Sequence, residues 1–341
     1  MRGAFWPVPI THSHWLPGRV VSCKRLVAEN RKFVTLAPAM IKRLFLLGLT
    51  NLAVIVLLTL VVSLLGLDQR LGFDPKSLMV FALVLGFSGS LFSLFISKWM
   101  AKMAYQIRVI EEPRNASERW LVETVREQAR RAGIGMPEVG VYESPEVNAF
   151  ATGASRNHAL VAVSTGLLEQ LSPREAEGVL AHEITHISNG DMVTMALLQG
   201  VLNTFVIFVS WVIGFLFDRL LTRRDDREDW GFGGIGLGFY VGRFLSEMCL
   251  GLLATLIVMW YSRQREFRAD AGSARIWGKD AILSALRHLK AIMEHEPILD
   301  NRAPSLSAFK INGHSGGGLV ALLASHPPLE ERIAALERLQ I

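Results

Sequence analysis

The sequence predicts an α+β integral membrane protein: about four transmembrane helices joined to a mainly helical domain with a small β-sheet and a metal site. Three observations predict it. Four long apolar runs punctuate a chain of 341 residues that is 50% hydrophobic and only 20% charged. A pattern of paired histidines, His182-Glu183-Ile184-Thr185-His186, follows a strong helix-start signal. Short alternating segments lie between the second and third apolar runs.

The composition excludes several classes at once. It is too apolar and too weakly charged for a disordered chain, and more apolar than an ordinary soluble globule. The two cysteines, Cys23 and Cys249, exclude a disulfide-stapled module and a zinc site built on three or four thiolates. The net charge of +5 suggests an acidic partner until its position is read. Residues 1–39 carry six basic side chains and one acid, whereas the other 302 residues carry 30 of each. The body of the protein is neutral, so no nucleic-acid partner is expected.

The apolar runs Leu44–Leu67 and Ser77–Ser97 are free of charge and flanked by charges. Each meets the requirement of about 20 helical residues for a hydrocarbon core about 30 Å thick. Met192–Phe217 is a third. The fourth runs from about Leu237 to Ser262 and contains Arg243 and Glu247, which at i,i+4 are able to pair on one face. The two internal charges make this span the least regular. Together with residue 40 onward this divides the chain into a basic extension (1–39), a first hairpin (40–97), a domain segment (98–191), a second hairpin (192–262) and a closing domain segment (263–341). Residues 1–39 lack the apolar core of a signal peptide. Met40 precedes a short basic start and a span, so it is the expected natural start.

Basic flanks set the expected orientation. Lys42, Arg43, Lys98, Lys102 and Arg108 put the N-terminus and residues 98–191 on the cytoplasmic side. Four arginines between the third and fourth spans, among five acids, conflict mildly with this.

Within 98–191, Asn115 or Ser117 caps a helix over Glu118–Arg131 that ends at Gly133. Pro137–Glu143, 148–152 and Ala159–Ser164 read as strands, the last two joined by a turn at Ser155-Arg156-Asn157. Ser172-Pro173-Arg174-Glu175 is a capping box with proline at the first helical position. The helix it starts ends at Asn189-Gly190.

That helix carries the chemistry. Two histidines at i,i+4 present their rings on one face, close enough to share an ion at about 2.0–2.1 Å. Glu183 reaches a water at the ion's open position without being a ligand. A catalytic zinc needs a third protein ligand. Glu266 follows a two-span hairpin that returns the chain to the side it left. Alone it reads as one acid in a solvated stretch; the helix motif and the hairpin together select it. Asp191 and Asp270 are candidate acceptors for the histidines' other N–H groups, or ordinary helix-end or surface carboxylates. Asn148, Ala149 and Phe150 open either an edge strand for an extended substrate or an ordinary hairpin strand. His326 and Arg332 are candidates for oxyanion assistance or for helix capping. The remaining histidines lack ligand spacing and read as surface residues. The glycine-rich stretch 231–238 reads as a loop.

These motifs, with Asn189-Gly190-Asp191, Arg265-Glu266-Phe267-Arg268-Ala269-Asp270 and Ser325-His326-Pro327-Pro328-Leu329, resemble the HtpX-type family of heat-shock membrane zinc metallopeptidases. That family also includes the CAAX prenyl proteases. The likeness runs from about Met40 to the C-terminus. It implies a gluzincin-like zinc metalloendopeptidase with one Zn²⁺ per chain held by His182, His186 and Glu266. It also implies a multi-pass protein of a bacterial inner membrane that degrades misfolded membrane proteins at the cytoplasmic face. Its partners would be membrane-protein or unfolded polypeptide substrates and the lipid bilayer, with a homo-oligomer left open. Two other readings stand beside it. One is a membrane scaffold or chaperone with a structural metal site, which would not need Glu183. The other is a processor of lipidated C-termini, for which four spans make too small a chamber. His₂Glu favours zinc over cobalt or manganese.

Overall fold

The computed structural model describes residues 74–221, 236–295 and 325–340. The expected extension (1–39), the first apolar run (Leu44–Leu67), Cys23, His12, His14 and His314 lie outside the described residues.

Local signals set most helix ends. Helix α1 (Pro75–Ala104) starts where the Asp74 carboxylate accepts the backbone N–H groups of Lys76 and Ser77, with Pro75 at the first turn. Helix α2 (Ala116–Ala132) is capped by Asn115, which accepts from the Glu118 N–H at 2.8 Å. Its expected bounds are met within two residues at the start and one at the end.

Four strands follow the chain as β1 (Arg108–Val109), β2 (Glu138–Tyr142), β3 (Ala149–Thr152) and β4 (Leu160–Ser164). They form one sheet in the order β1-β2-β4-β3, with β2 and β4 parallel and the outer pairs antiparallel. Every residue of β4 is buried, as its unbroken apolar run requires of a strand covered on both faces. One sheet face meets Leu121, Val125, Leu180, Ile184 and Ile187 in the main core. The other meets Tyr105, at the end of α1, whose ring stacks on Tyr142 and Phe150 at 5.0 and 5.2 Å. Lys98 and Lys102, on α1, both pair with Glu138, tying that helix to the sheet. β3 is an edge strand.

After a short helix α3 (Thr165–Gln170), the expected capping box opens α4 (Pro173–Asn189), with Ser172 and Glu175 bonded reciprocally. Gly190 ends α4 at φ +68°, a left-handed turn that glycine adopts without a side-chain clash. The chain then re-enters a helix at once as α5 (Asp191–Leu221). Helix α6 (Leu237–Trp277) packs along α5, and Arg243 pairs with Glu247 at 2.9 Å as their spacing predicts. Helices α7 (Lys279–His295) and α8 (Leu329–Arg338) complete the described chain.

The fourth run and the charged segment after it form one helix. At about 1.5 Å per residue its 41 residues extend about 60 Å, twice a hydrocarbon core, so it carries its last turns well past any bilayer. Arginine and glutamate change what surrounds a helix without breaking it. Gly238 lies inside that helix rather than in a loop, because α5 approaches there: a Cβ at Gly238 would sit 2.7 Å from the Asp218 Cα. Helices α1, α5 and α6 are long and apolar enough to cross a membrane. The protein is therefore a mainly helical integral membrane protein with a small mixed sheet.

Candidate metal centre

The site is built where α4 crosses the far end of α6. Gly272 permits the approach, since a Cβ there would strike the Thr185 side chain; Gly178 on α4 likewise admits α7, where a Cβ would strike the backbone at Ala281. On α4 the whole motif is buried, with His182, Glu183 and His186 at 4%, 6% and 8% exposure. Opposite them, α6 supplies Glu266, which is fully buried.

Three ligand atoms converge. His182 Nε2 and His186 Nε2 are 3.1 Å apart. Glu266 Oε2 lies 3.3 Å from the first, and Oε1 lies 3.4 Å from the second. Ligands at about 2.0–2.1 Å from a tetrahedral ion sit about 3.3 Å from one another, so the spacing suits zinc. Neither Glu266 oxygen has a hydrogen-bond partner among the described residues, and a buried carboxylate without one is costly.

The other ring nitrogens complete the case. His182 Nδ1 lies 2.8 Å from Asp270 Oδ1, and His186 Nδ1 lies 2.7 Å from Asp191 Oδ2. With each carboxylate placed to accept the Nδ1–H, both Nε2 atoms point at the same spot as Glu266. Burial disfavours a charged imidazole at His186, but Glu266 and Asp191 outweigh it and push its pKa up to about 10. Burial also opposes charge on His182, and Asp270 again prevails, so its pKa rises. The carboxylates thus demand a cation at this point, either a proton or a metal ion. His182, His186 and Glu266 form a cluster fit to hold a metal.

Around this centre lies a cavity of about 460 Å³. It is lined by the two histidines, Glu183, Glu266, His326, Arg332 and the edge strand from Ala149 to Thr152. The structure therefore brings together every expected site residue except Asn148, which stands just before β3 with its backbone N–H donated to Ser164 Oγ at 3.0 Å. His326 Nδ1 is 2.9 Å from Glu266 Oε2, outside hydrogen-bonding alignment. Arg332 is 1% exposed and donates two hydrogen bonds to Asp270. Burial opposes its charge, but Asp270 and Glu266 hold its pKa above the usual arginine value.

Sequence reasoning missed three things. The clamp between Arg332 and Asp270 joins positions 62 residues apart, and no local signal announces it. Arg265 also lines the cavity, next to a residue that was singled out. His288 is half-buried and paired with Glu175 at 3.1 Å, not a free surface residue. His158 is exposed, as expected, and Cys249 is an exposed free thiol.

Comparison with known proteins bears on the same residues. The model for "Peptidase family M48" matches residues 115–340, which hold His182, Glu183, His186, Asp191, Glu266, Asp270, His326 and Arg332. A "Protease HtpX homolog" of Methylacidiphilum infernorum is 64% identical over 304 residues, covering 88% of this chain and 99% of that one. "Protease HtpX" of Thioalkalivibrio sulfidiphilus is 51% identical over 304 residues, with the same coverage. Among solved structures, that of S. mikatae Ste24p superposes with a TM-score of 0.54 over 89% of this chain and 67% of the other. Its sequence is 19% identical, so the likeness is one of fold.

Proposed function

The chain belongs to peptidase family M48 and is a membrane metalloprotease; from that premise we propose that it is a zinc-dependent endopeptidase of the bacterial inner membrane. Its catalytic unit, built from residues 98–191 and 263–341, stands on the cytoplasmic side. There it cuts misfolded or damaged membrane proteins. Two hairpins, 40–97 and 192–262, anchor it as four spans, and residues 1–39 form a separate basic extension. The basic flanks of the spans support the orientation. The observation that carries the reading is the convergence, on one point beside Glu183, of two Nε2 atoms and a buried carboxylate whose oxygens have no hydrogen-bond partner among the described residues.

His182, His186 and Glu266 would hold one zinc ion in a gluzincin arrangement. When bound, zinc supplies Lewis acidity, which brings the pKa of a water at its open position near 7 and polarises the scissile carbonyl. Glu183 is the general base: it takes a proton from the attacking water and returns it to the leaving amine. Asp270 and Asp191 hold the Nδ1 protons and so keep both imidazoles in the ligating tautomer. β3, the outer strand of the sheet, offers its edge to an extended substrate, whose backbone it binds with little regard to side chains. Arg332 and His326 are assigned to the developing oxyanion.

The test uses the full chain purified in detergent under chelator. Adding zinc should start cleavage of casein and of the protein itself. Glu183→Gln should keep zinc and fold but lose cleavage. Equal cleavage by both proteins would overturn the role of Glu183, and no cleavage by either would overturn the peptidase reading.

A further inference from the structure

The cavity does not end at the metal centre. It continues between α1 and α5, where Ser90, Ser93 and Ser97 face Gln199 and Asn203. These five polar residues lie on helices otherwise apolar enough to span a membrane. Asn203 stands twelve residues into α5, about 18 Å along the axis from the end that holds Asp191. The cleft thus descends from the catalytic groups into the membrane layer. Large apolar side chains of the same helices, among them Phe92 and Phe95, point outward to lipid instead.

The hydrogen bonding separates a ligand site from interhelical packing. Polar side chains that serve as glue bond across to the facing helix. Here Ser90 and Ser97 donate back to their own helix, to the carbonyls of Phe87 and Leu94. Their oxygens remain as acceptors toward the cleft. Gln199 donates to Asn203 on the same helix at 2.8 Å. Among the described residues, the one bond these side chains make to the facing helix is a long one, from Asn203 to the Gly86 carbonyl at 3.5 Å. The wall therefore offers acceptors and amides to something between the helices.

What needs such a wall is an unwound backbone. Inside a bilayer every peptide N–H and C=O must be satisfied, and non-helical chain is tolerated only where protein or a wet cavity supplies the partners. A substrate strand laid on the edge of β3 has been unwound to bind there, and the residues beyond it still lie in the bilayer. We propose that this cleft is a subsite for the membrane-embedded stretch of the substrate. Gln199 and Asn203 are its specificity-determining residues, selecting stretches with small or polar side chains that unwind readily. The inference rests on the peptidase reading above and adds the class of polypeptide that the site takes.

The experiment uses the full chain, loaded with zinc and reconstituted in phosphatidylethanolamine–phosphatidylglycerol vesicles. Two single-span substrates share one unstructured cytoplasmic tail. One has a leucine-only span, and the other has Gly, Asn and Ser in the first three turns inside the membrane. The intact enzyme should cut the polar span with kcat/KM about tenfold higher. In the double variant Gln199→Leu with Asn203→Leu, this ratio should fall close to one, with each rate normalised to casein cleavage by the same protein. Equal rates on both spans with the intact enzyme overturn the inference, and that comparison stands even where the variant fails to fold. A preference unaltered in a folded variant overturns the assignment of Gln199 and Asn203. Failure to cut casein or either span overturns the peptidase reading itself, and the subsite with it.

Discussion

Arg332 grips Asp270 with two parallel hydrogen bonds, 2.8 and 2.7 Å long, and Asp270 in turn holds His182 Nδ1 at 2.8 Å. The C-terminal helix α8 is thereby tied to an imidazole of the metal centre. A guanidinium does this because its planar fork matches a carboxylate, and lysine offers no such match. Arg332→Lys should therefore keep the charge and lose the geometry. Zinc affinity, measured by competition with a chelating dye, should fall roughly 10- to 100-fold, the usual cost of disturbing a ligand's outer partner. Asp270→Asn should act in the same direction. An Arg332→Lys protein that binds zinc as the wild type does would leave the clamp without a role at the metal.

The carboxylates around the histidines set the sign of a pH effect. His186 has a pKa of about 10 in the metal-free site, so at neutral pH its imidazole carries the proton that a metal must displace. Zinc binding should release protons to the buffer, and affinity should rise with pH through the neutral range. Calorimetric titration in two buffers of different ionisation enthalpy measures the release. Binding enthalpies that are identical in the two buffers would contradict it.

The parts of this site that were legible in the sequence are those written in local order. The capping box at Ser172 and the left-handed Gly190 bound α4 within the residues that spell out the motif, so both histidines were placed on one face by spacing alone. Asp191 and Asp270 were legible because each stands one turn or so from a ligand. Glu266 needed the hairpin argument, which counts spans rather than reading side chains. Arg332 and Gln199 were not legible in their roles. An arginine in a charged terminal helix resembles a solvated one until α8 packs against α6, and an amide in a span shows its orientation only when α1 is beside it. The continuity of α6 was hidden by its change from apolar to charged, which marks a change of surroundings rather than of secondary structure.

Glu118 gives a stability prediction away from the membrane helices. Its carboxylate is buried, which alone would raise its pKa, but it accepts from the Arg114 N–H at 2.8 Å and from Arg108 at 2.6 Å, and the net effect is a lowered pKa. A lowered carboxylate stabilises the fold above its unfolded pKa, about 4.3, and the contribution is lost as pH falls through the folded value. Glu118→Gln should lower the Tm in detergent at neutral pH, and the gap to the wild type should close on acidification. A gap that stays constant down to acid pH would show that the charge is not what matters.

The crossing of α4 and α6 yields the most specific prediction. Thr185 Oγ1 donates to the Ala181 carbonyl at 2.7 Å, which fixes its rotamer and turns its methyl toward Gly272. An added Cβ at Gly272 collides with that methyl, and neither helix backbone has slack beside a packed core. Gly272→Ala should therefore push α6 away from α4 and carry Glu266 out of reach of the two histidines. Zinc affinity and proteolysis should both fall about tenfold or more, although alanine favours a helix over glycine by about 1 kcal/mol. Adding Thr185→Ser removes the methyl and keeps the hydroxyl bond, so the double variant should recover part of both losses. Gly272→Ala with unaltered zinc binding, or a double variant no better than the single one, would show that this contact does not set the distance between the ligands.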